Sequence, residues 1–164
     1  MIDKRQLWHY VNSMMHSMQS GGRVLALSAL LVLGLSVAGA WGQTVMEANA
    51  GNGGAALDVK PLLVKGKTTL IDFYSPACPP CVRLAPLFEQ LAAKRPDLAI
   101  KKVNINRPGT QGIDWASPVA QQYKIRHVPY FMVFSPSGKL MGQGKDALPQ
   151  VQRLLQEAGL LPRP

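Results

Sequence analysis

Cysteine is nearly absent from this sequence, which has two cysteines in 164 residues. Both belong to one short motif, Cys78-Pro79-Pro80-Cys81. A fold held together by a framework of structural disulfides needs several separated cysteines, so that class is excluded and any bridge must be local. The hydrophobic fraction of 47% is ample for a core, and the length allows one domain plus a short appendage.

Acidic residues are also few. Nine Asp and Glu side chains accompany 18 Lys and Arg, which gives a formal net charge of +9. No run of basic residues is longer than two, as at Lys94-Arg95 and Lys101-Lys102, and no aromatic residues are interleaved with them. Faces that bind nucleic acid usually combine longer basic runs with interleaved aromatic residues. We therefore expect a solvated basic surface and no nucleic-acid partner.

Metal ligands and cofactor motifs are scarce too. Only one of the three histidines, His127, lies beyond the N-terminal region, so a metal site built on the two cysteines would need other kinds of ligand. Nothing in the sequence resembles a dinucleotide-binding fingerprint. We therefore expect no metal and no organic cofactor, and we interpret His127 as a loop residue rather than a ligand.

Charged residues are missing from a long segment near the N-terminus. Residues 24–40 are all apolar or small, and they end in Ala38-Gly39-Ala40, the small-x-small pattern of a signal-peptidase site. Residues 1–40 are therefore predicted to be a signal peptide or a membrane anchor, with residues 24–46 long enough to span a bilayer. Both interpretations predict a periplasmic or otherwise extracytoplasmic protein, soluble after cleavage or anchored to the inner membrane.

The sequence does not decide which methionine is the initiator. The polar region before the apolar segment is long for a signal peptide, and Met18, Met14 or Met15 could be the true start. After the apolar segment, residues 41–56 are small, polar and Gly-rich, which is typical of a flexible linker. Residues 57–164 are predicted to be the folded domain, unless residues 43–47 supply its first strand.

The most informative segment carries the two cysteines. The apolar run Leu70–Tyr74 predicts a buried strand, and Leu84, Leu87, Phe88 and Leu91 recur at helical spacing after the cysteines. Cys78 would thus lie at a helix start, where unpaired N–H groups and the helix dipole stabilise a thiolate. This arrangement favours reversible disulfide chemistry, although a passive bridge and half of a metal site are alternatives.

Further elements follow in a regular order. The sequence predicts a short helix in Leu57–Lys65, strands at Leu98–Ile105, Phe131–Phe134 and Lys139–Gly144, helices at Val119–Tyr123 and Ala147–Gly159, and a loop insert at residues 107–118. Pro86 is expected to kink the helix after the cysteines. The pattern predicts an α/β domain with a central mixed β-sheet flanked by helices.

Several of these residues resemble the thioredoxin family. Asp72-Phe73 precedes Cys78 by six residues, and Pro86 follows Cys81 by five. Lys102–Asn106 is similar to the next strand of the family, Val128-Pro129 to its cis-proline, and Ser137-Gly138-Lys139 to its hairpin turn. The match covers roughly residues 57–158, and its five elements in the right order make it specific. The resemblance implies the thioredoxin fold.

The resemblance also implies roles for the site. Cys78 would be the nucleophile, partly exposed, and Cys81 the more buried resolving thiol. Asp72, which on the residues alone could equally face solvent, would be a buried carboxyl with a raised pKa that takes the proton of Cys81. Lys102 would approach this carboxyl, or else be a surface lysine.

A docking groove for the substrate is implied as well. Pro129 would be cis and Val128 would offer its main chain to an extended substrate, with Ala77, Pro79 and Tyr74 at the border. Ala77 and Tyr74 depart from the commonest family residues, as does Tyr130 after the cis-proline. Substrate preference therefore cannot be transferred. Trp115 in the insert is expected to be a hydrophobic plug under its loop.

Together these observations predict a thiol–disulfide oxidoreductase that exchanges disulfides with exported protein substrates, acting as a reductase. An upstream membrane redox partner would recharge the cysteine pair, and the protein could be tethered to the membrane. A disulfide oxidase or isomerase is the alternative within the same chemistry. From other classes, a metal carrier or a binding module on the same fold remains open.

Overall fold

The computed structural model describes residues 45–163. In this range the chain forms a five-stranded sheet with the strand order β1-β3-β2-β4-β5. The strands are β1 (Met46–Glu47), β2 (Thr68–Tyr74), β3 (Leu98–Asn104), β4 (Tyr130–Phe134) and β5 (Leu140–Gln143). β3 runs parallel to β1 and β2, while β4 is antiparallel to β2 and β5, so the predicted mixed sheet is confirmed.

Helices cover both faces of this sheet. Within the described range they are α1 (Pro79–Lys94), α2 (Pro118–Gln122) and α3 (Leu148–Glu157), with single 3-10 turns at Lys60–Leu62 and Gly144–Ala147. Each α-helix has proline in its first turn, where the missing N–H is not needed for a helical hydrogen bond. Pro86 lies inside α1, and the kink expected there stays a prediction.

The core consists of two clusters separated by β2. Leu70 and Ile71 enter different clusters because successive strand residues point to opposite faces. The face of α1 and α3, called here the α1 face, holds Leu70, Phe88, Leu91, Ile100, Phe131, Val133, Val151 and Leu155. The opposite face holds Ile71, Phe73, Val103, Ile105, Val119, Ile125, Met132 and Phe134. β2 is therefore buried on both sides, as a central strand must be.

The range predicted as a linker differs from the prediction. Met46–Glu47 form β1, which pairs with β3. This agrees with the alternative that residues 43–47 supply the first strand. Asn49 then acts like a peptide group: its Nδ2 donates to the Asn104 carbonyl at 2.8 Å, and its Oδ1 accepts the Asn104 N–H at 2.9 Å. The segment after β1 is thus packed on the domain rather than flexible.

Two other expectations concern the ends of the domain. The helix predicted in Leu57–Lys65 is only the 3-10 turn at Lys60–Leu62. The predicted signal or anchor, residues 1–40, and the alternative initiator residues lie outside the described residues. In residues 45–163, no helix is both long enough and apolar enough to cross a membrane.

Candidate active site

The two cysteines lie where β2 passes into α1. Cys78 is the N-cap residue of α1, and it is joined to Cys81 by a disulfide with a Cα–Cα distance of 5.3 Å. The turn before it is held by Ser75, whose carbonyl accepts the Cys78 N–H at 3.1 Å and whose Oγ accepts the Ala77 N–H at 3.1 Å. The predicted local bridge at a helix start is confirmed.

One backbone donor reaches the sulfur of Cys78. The N–H of Cys81 donates to Cys78 Sγ at 3.2 Å, so the sulfur takes the place that a Ser or Asp oxygen has in an ordinary helix cap. Pro79 and Pro80 occupy the intervening positions and have no N–H to contribute. A thiolate at Cys78 would therefore be stabilised by the helix start, but by fewer donors than most sequences would provide.

Both sulfurs are buried in this oxidised form. Cys78 is 2% exposed and Cys81 is 3% exposed. For the disulfide state, the expected partial exposure of Cys78 is therefore wrong, and so is the expectation that Cys81 is the more buried of the two. The reason is local: the Cys78 sulfur turns inward to bond Cys81 and to accept its N–H, rather than outward to solvent. The neighbouring Ala77 and Pro79 are exposed and form the surface that borders the disulfide.

Asp72 is a carboxyl buried in the middle of β2. It is 2% exposed, and its Oδ1 atom has no hydrogen-bond partner among the described residues. Its register neighbours are Lys102 on β3 and Phe131 on β4. Desolvation raises the pKa of Asp72 from 3.8 to about 7, while the charge of Lys102 opposes this rise. The burial that the resemblance implied is confirmed, and the role of Asp72 as proton acceptor stays a prediction.

Lys102 and Tyr74 interact beside this carboxyl. The Lys102 Nζ atom lies 4.1 Å from the centroid of the Tyr74 ring, a cation–π geometry. The Tyr74 hydroxyl donates a hydrogen bond of 2.8 Å to Oε1 of Glu47. Burial is the larger cause of the raised pKa of Tyr74, and this hydrogen bond is the second. Glu47 was missed by sequence reasoning because it lies in the range predicted as linker, and a two-residue strand has no periodic pattern.

The Val128–Pro129 peptide bond is cis, as predicted. Tyr130 opens β4 opposite Phe73, near the end of β2 from which the cysteine turn departs. The topology therefore brings the Val128-Pro129 segment and the cysteine motif to the same end of the sheet, where β2 ends and β4 begins. Val128 and Tyr130 are half-buried against the cluster opposite the α1 face, and His127 is exposed with its ring 5.5 Å from that of Tyr130.

The insert 107–118 is held by one ion pair. Arg107 Nε donates to the buried Asp114 carboxylate at 2.7 Å, and this bond lowers the pKa of Asp114 to about 2. Trp115 is 38% exposed, so its expected role as a buried plug is wrong. The polar pair rather than an aromatic side chain fixes this loop.

Comparison with known proteins identifies the fold and matches nearly the same residues as the sequence resemblance. Residues 59–156 match the family model described as thioredoxin. A thioredoxin-like protein of Fusarium culmorum is 35% identical over 94 residues, covering 56% of this chain and 71% of that protein. Thioredoxin H5 of Arabidopsis thaliana is 28% identical over 148 residues, covering 88% and 98%.

A solved structure supports the fold independently. Thioredoxin F of spinach chloroplast, in its short form, superposes with a TM-score of 0.51 at 22% identity, covering 74% of this chain and 98% of that one. Because the family model spans more than half of the sequence and contains the Cys78–Cys81 pair, the chain belongs to the thioredoxin family and is an oxidoreductase of that family.

Proposed function

We propose that this protein reduces disulfide bonds in exported proteins, using Cys78 and Cys81 as the reacting pair. The observation that carries the proposal is the position of Cys78, whose sulfur caps α1 and is bonded to a cysteine one helical turn away. A thiolate there gains the helix-start N–H and dipole, and its partner is already within bonding distance.

The first exchange forms a mixed disulfide. In the reduced protein, the Cys78 thiolate attacks one sulfur of the substrate disulfide, a new S–S bond forms to Cys78, and the other substrate sulfur leaves as a thiolate. The second exchange releases the product. The Cys81 sulfur attacks Cys78, the mixed disulfide breaks, and the substrate leaves as a dithiol after taking up protons. Two electrons pass from the protein to the substrate.

Asp72 is the proposed proton acceptor for the second exchange. Cys81 must lose its proton before it can attack, and a general base works best when its pKa lies near the working pH. The pKa of about 7 that burial gives Asp72 meets this condition. The unpaired Oδ1 atom is free to accept that proton without breaking an existing hydrogen bond to the described part of the chain.

The substrate is proposed to dock beside the cis-proline. Val128 and Pro129 precede β4 at the end of the sheet that also carries the cysteine turn, and their main chain would pair with an extended substrate segment. Exposed Ala77 and Pro79 and half-buried Tyr74 would line the remaining border. The substrate class is an extended disulfide-containing polypeptide.

The reducing direction is supported by the two prolines. Since Pro79 and Pro80 offer no N–H to Cys78, its thiolate has fewer donors, which favours loss of electrons from the pair. The extracytoplasmic location is supported by the apolar segment 24–40 and Ala38-Gly39-Ala40, and a membrane redox partner would then recharge the pair. An oxidase or isomerase is the second candidate, because the same cysteine geometry serves both directions.

Insulin reduction tests the chemistry. Wild type is expected to reduce insulin with dithiothreitol as recharging agent, while Cys78→Ser falls to the uncatalysed rate and Ser135→Ala, remote from the cysteines in sequence, retains activity. A Cys78→Ser variant as active as wild type would contradict the proposal that Cys78 is the reacting thiol. Metal retained after purification would favour a metal carrier. The reduction potential against glutathione decides direction: a low value supports a reductase and a high one an oxidase. N-terminal sequencing and cell fractionation test the location.

A further inference from the structure

A row of polar side chains crosses three neighbouring strands on the α1 face. Glu47 on β1 is in register with Lys102 on β3, and Lys102 is in register with Asp72 on β2. Residues opposite each other on parallel strands point to the same face, and Tyr74, two residues after Asp72, points there as well. These four side chains are called here the polar row.

Contacts within the polar row run from Glu47 to Lys102 through Tyr74. The 2.8 Å hydrogen bond to Glu47 fixes the tyrosine ring, and the Lys102 ammonium lies 4.1 Å from the centroid of that ring. The ion pairs within 4.0 Å in residues 45–163 are made by Arg95 and Arg107, so no carboxylate of that range holds Lys102 at this distance. The Tyr74 ring is the contact that positions this cation.

Asp72 has few charged neighbours that could compete with Lys102. β3 contributes Lys102 and β2 contributes Tyr74 to this face, while α1 contributes apolar side chains, among them Phe88 and Leu91. β4 and α3 contribute apolar side chains to this face, among them Phe131 and Val151. Lys102 is the cation that lowers the pKa of Asp72, so its distance from the carboxyl matters.

We propose that Glu47 is a positioning residue for disulfide exchange: by fixing the Tyr74 ring it keeps the Lys102 ammonium on that ring and away from the Asp72 carboxyl. The inference rests on the proposed role of Asp72 as proton acceptor for Cys81. Without Glu47 the ring and the ammonium can shift toward the unpaired Oδ1 atom of Asp72. Loss of the negative charge of Glu47 acts in the same direction, because both changes favour the ionised carboxyl.

The direct test is titration of Asp72 in the oxidised full-length protein by carbon-13 NMR, with the resonance assigned through Asp72→Asn. Glu47→Gln is expected to lower the titration midpoint by more than the roughly half a pH unit that loss of a charge about 10 Å away near a protein surface gives by itself. Tyr74→Phe, which removes the hydroxyl and keeps the ring, is expected to lower it by less. Lys102→Met is expected to raise the midpoint. In the double variant, the part of the Glu47→Gln effect that comes from the displaced ammonium should be lost, while the direct effect of the missing charge remains.

Glu89→Gln is the matched control. It removes one exposed carboxylate from α1, more than two turns beyond the cysteines, and should leave the midpoint of Asp72 unchanged. The rate at which the mixed disulfide resolves should follow the same order, with its pH profile displaced downward in Glu47→Gln. Should Glu47→Gln fail to fold, Tyr74→Phe tests the same contact.

The proposal is overturned if Glu47→Gln lowers the midpoint of Asp72 by the same amount with and without Lys102, or if Glu47→Gln and Tyr74→Phe both leave it at the value of Glu89→Gln. That outcome leaves disulfide reduction by Cys78 untouched. Failure of the proposed function has a different signature: Cys78→Ser would reduce insulin as fast as wild type, or Asp72→Asn would resolve the mixed disulfide at the normal rate.

Discussion

Asp72 lies directly opposite Lys102 in the register of β2 and β3, yet its Oδ1 atom receives no hydrogen bond from residues 45–163. A carboxyl so placed is easier to bury protonated than ionised, because desolvation outweighs the attraction of one half-buried lysine. Asp72 is therefore a buried proton-binding group on β2, the strand that leads into the cysteine turn, and desolvation raises its pKa to about 7.

Stability should fall as the pH rises through the titration of Asp72. Its pKa is about 7 in the folded protein and near 3.8 when unfolded, so the folded state binds the proton more tightly and loses stability between those values. The unfolding free energy is expected to fall by about 2 kcal/mol from pH 5 to pH 7 because of this group. Urea denaturation at a series of pH values measures it.

Asp72→Asn supplies the comparison for that measurement. An amide cannot ionise, so the variant should lose this part of the pH dependence and be the more stable protein above pH 7. Asp146→Asn, which removes an exposed carboxyl, should keep the wild-type profile. Equal slopes for all three proteins between pH 5 and 7 would contradict the raised pKa.

Cys81→Ser should trap the substrate. Cys78 can still attack a disulfide in this variant, but no second thiol is present to resolve the mixed disulfide. Non-reducing gels after mixing with insulin are expected to contain a covalent adduct that dithiothreitol releases. Cys78→Ser should give no adduct; an adduct of equal amount there would mean that Cys81 attacks the substrate as readily as Cys78 does.

Pro80→Ala should make the pair more oxidising. The variant gains an N–H in the first turn of α1, which can stabilise the Cys78 thiolate and so favours the reduced form. One extra charge-assisted hydrogen bond of roughly 1.4 kcal/mol corresponds to about 30 mV in the glutathione equilibrium. Pro86→Ala, inside the same helix but away from the sulfurs, is the control. A fall in potential, or equal changes in both variants, would refute the donor argument.

Gly53→Ala should destabilise the domain, although Gly53 lies in the range that the sequence predicts as a linker. A Cβ at this position would meet the Asn106 carbonyl oxygen, which belongs to the backbone and cannot easily move. A loss of about 1–3 kcal/mol is typical of such overpacking. Ala50→Ser, at an exposed position nearby, should be neutral in the same denaturation experiment. Equal stability of the two would mean that this segment is loosely held.

The parts of the site that sequence reasoning reached are those with strong local signals. The apolar run of β2, the paired cysteines and the Val128-Pro129 pair each carry a local pattern, and the family resemblance supplied the cis bond and the burial of Asp72. Asp72 alone was ambiguous, because a strand position does not reveal which face is covered until its neighbours are known.

The parts that were missed depend on contacts between distant segments. Glu47 acquires its place only when β1 pairs with β3, and two residues are too few for any periodicity. The burial of Cys78 depends on the direction in which its sulfur turns, which no spacing predicts. The exposure of Trp115 and the ion pair between Arg107 and Asp114, which join different parts of the insert, likewise have no local pattern in the sequence.

Asn49 fixes the register of β1, the first strand of the described part of the chain. A strand of two residues cannot determine its own alignment, and a slip by one position would turn Glu47 to the other side of the sheet. The paired amide contacts of Asn49 with the backbone of Asn104 prevent that slip by adding one more rung to the ladder. The contacts of Asn49 therefore keep Glu47 in register with Lys102.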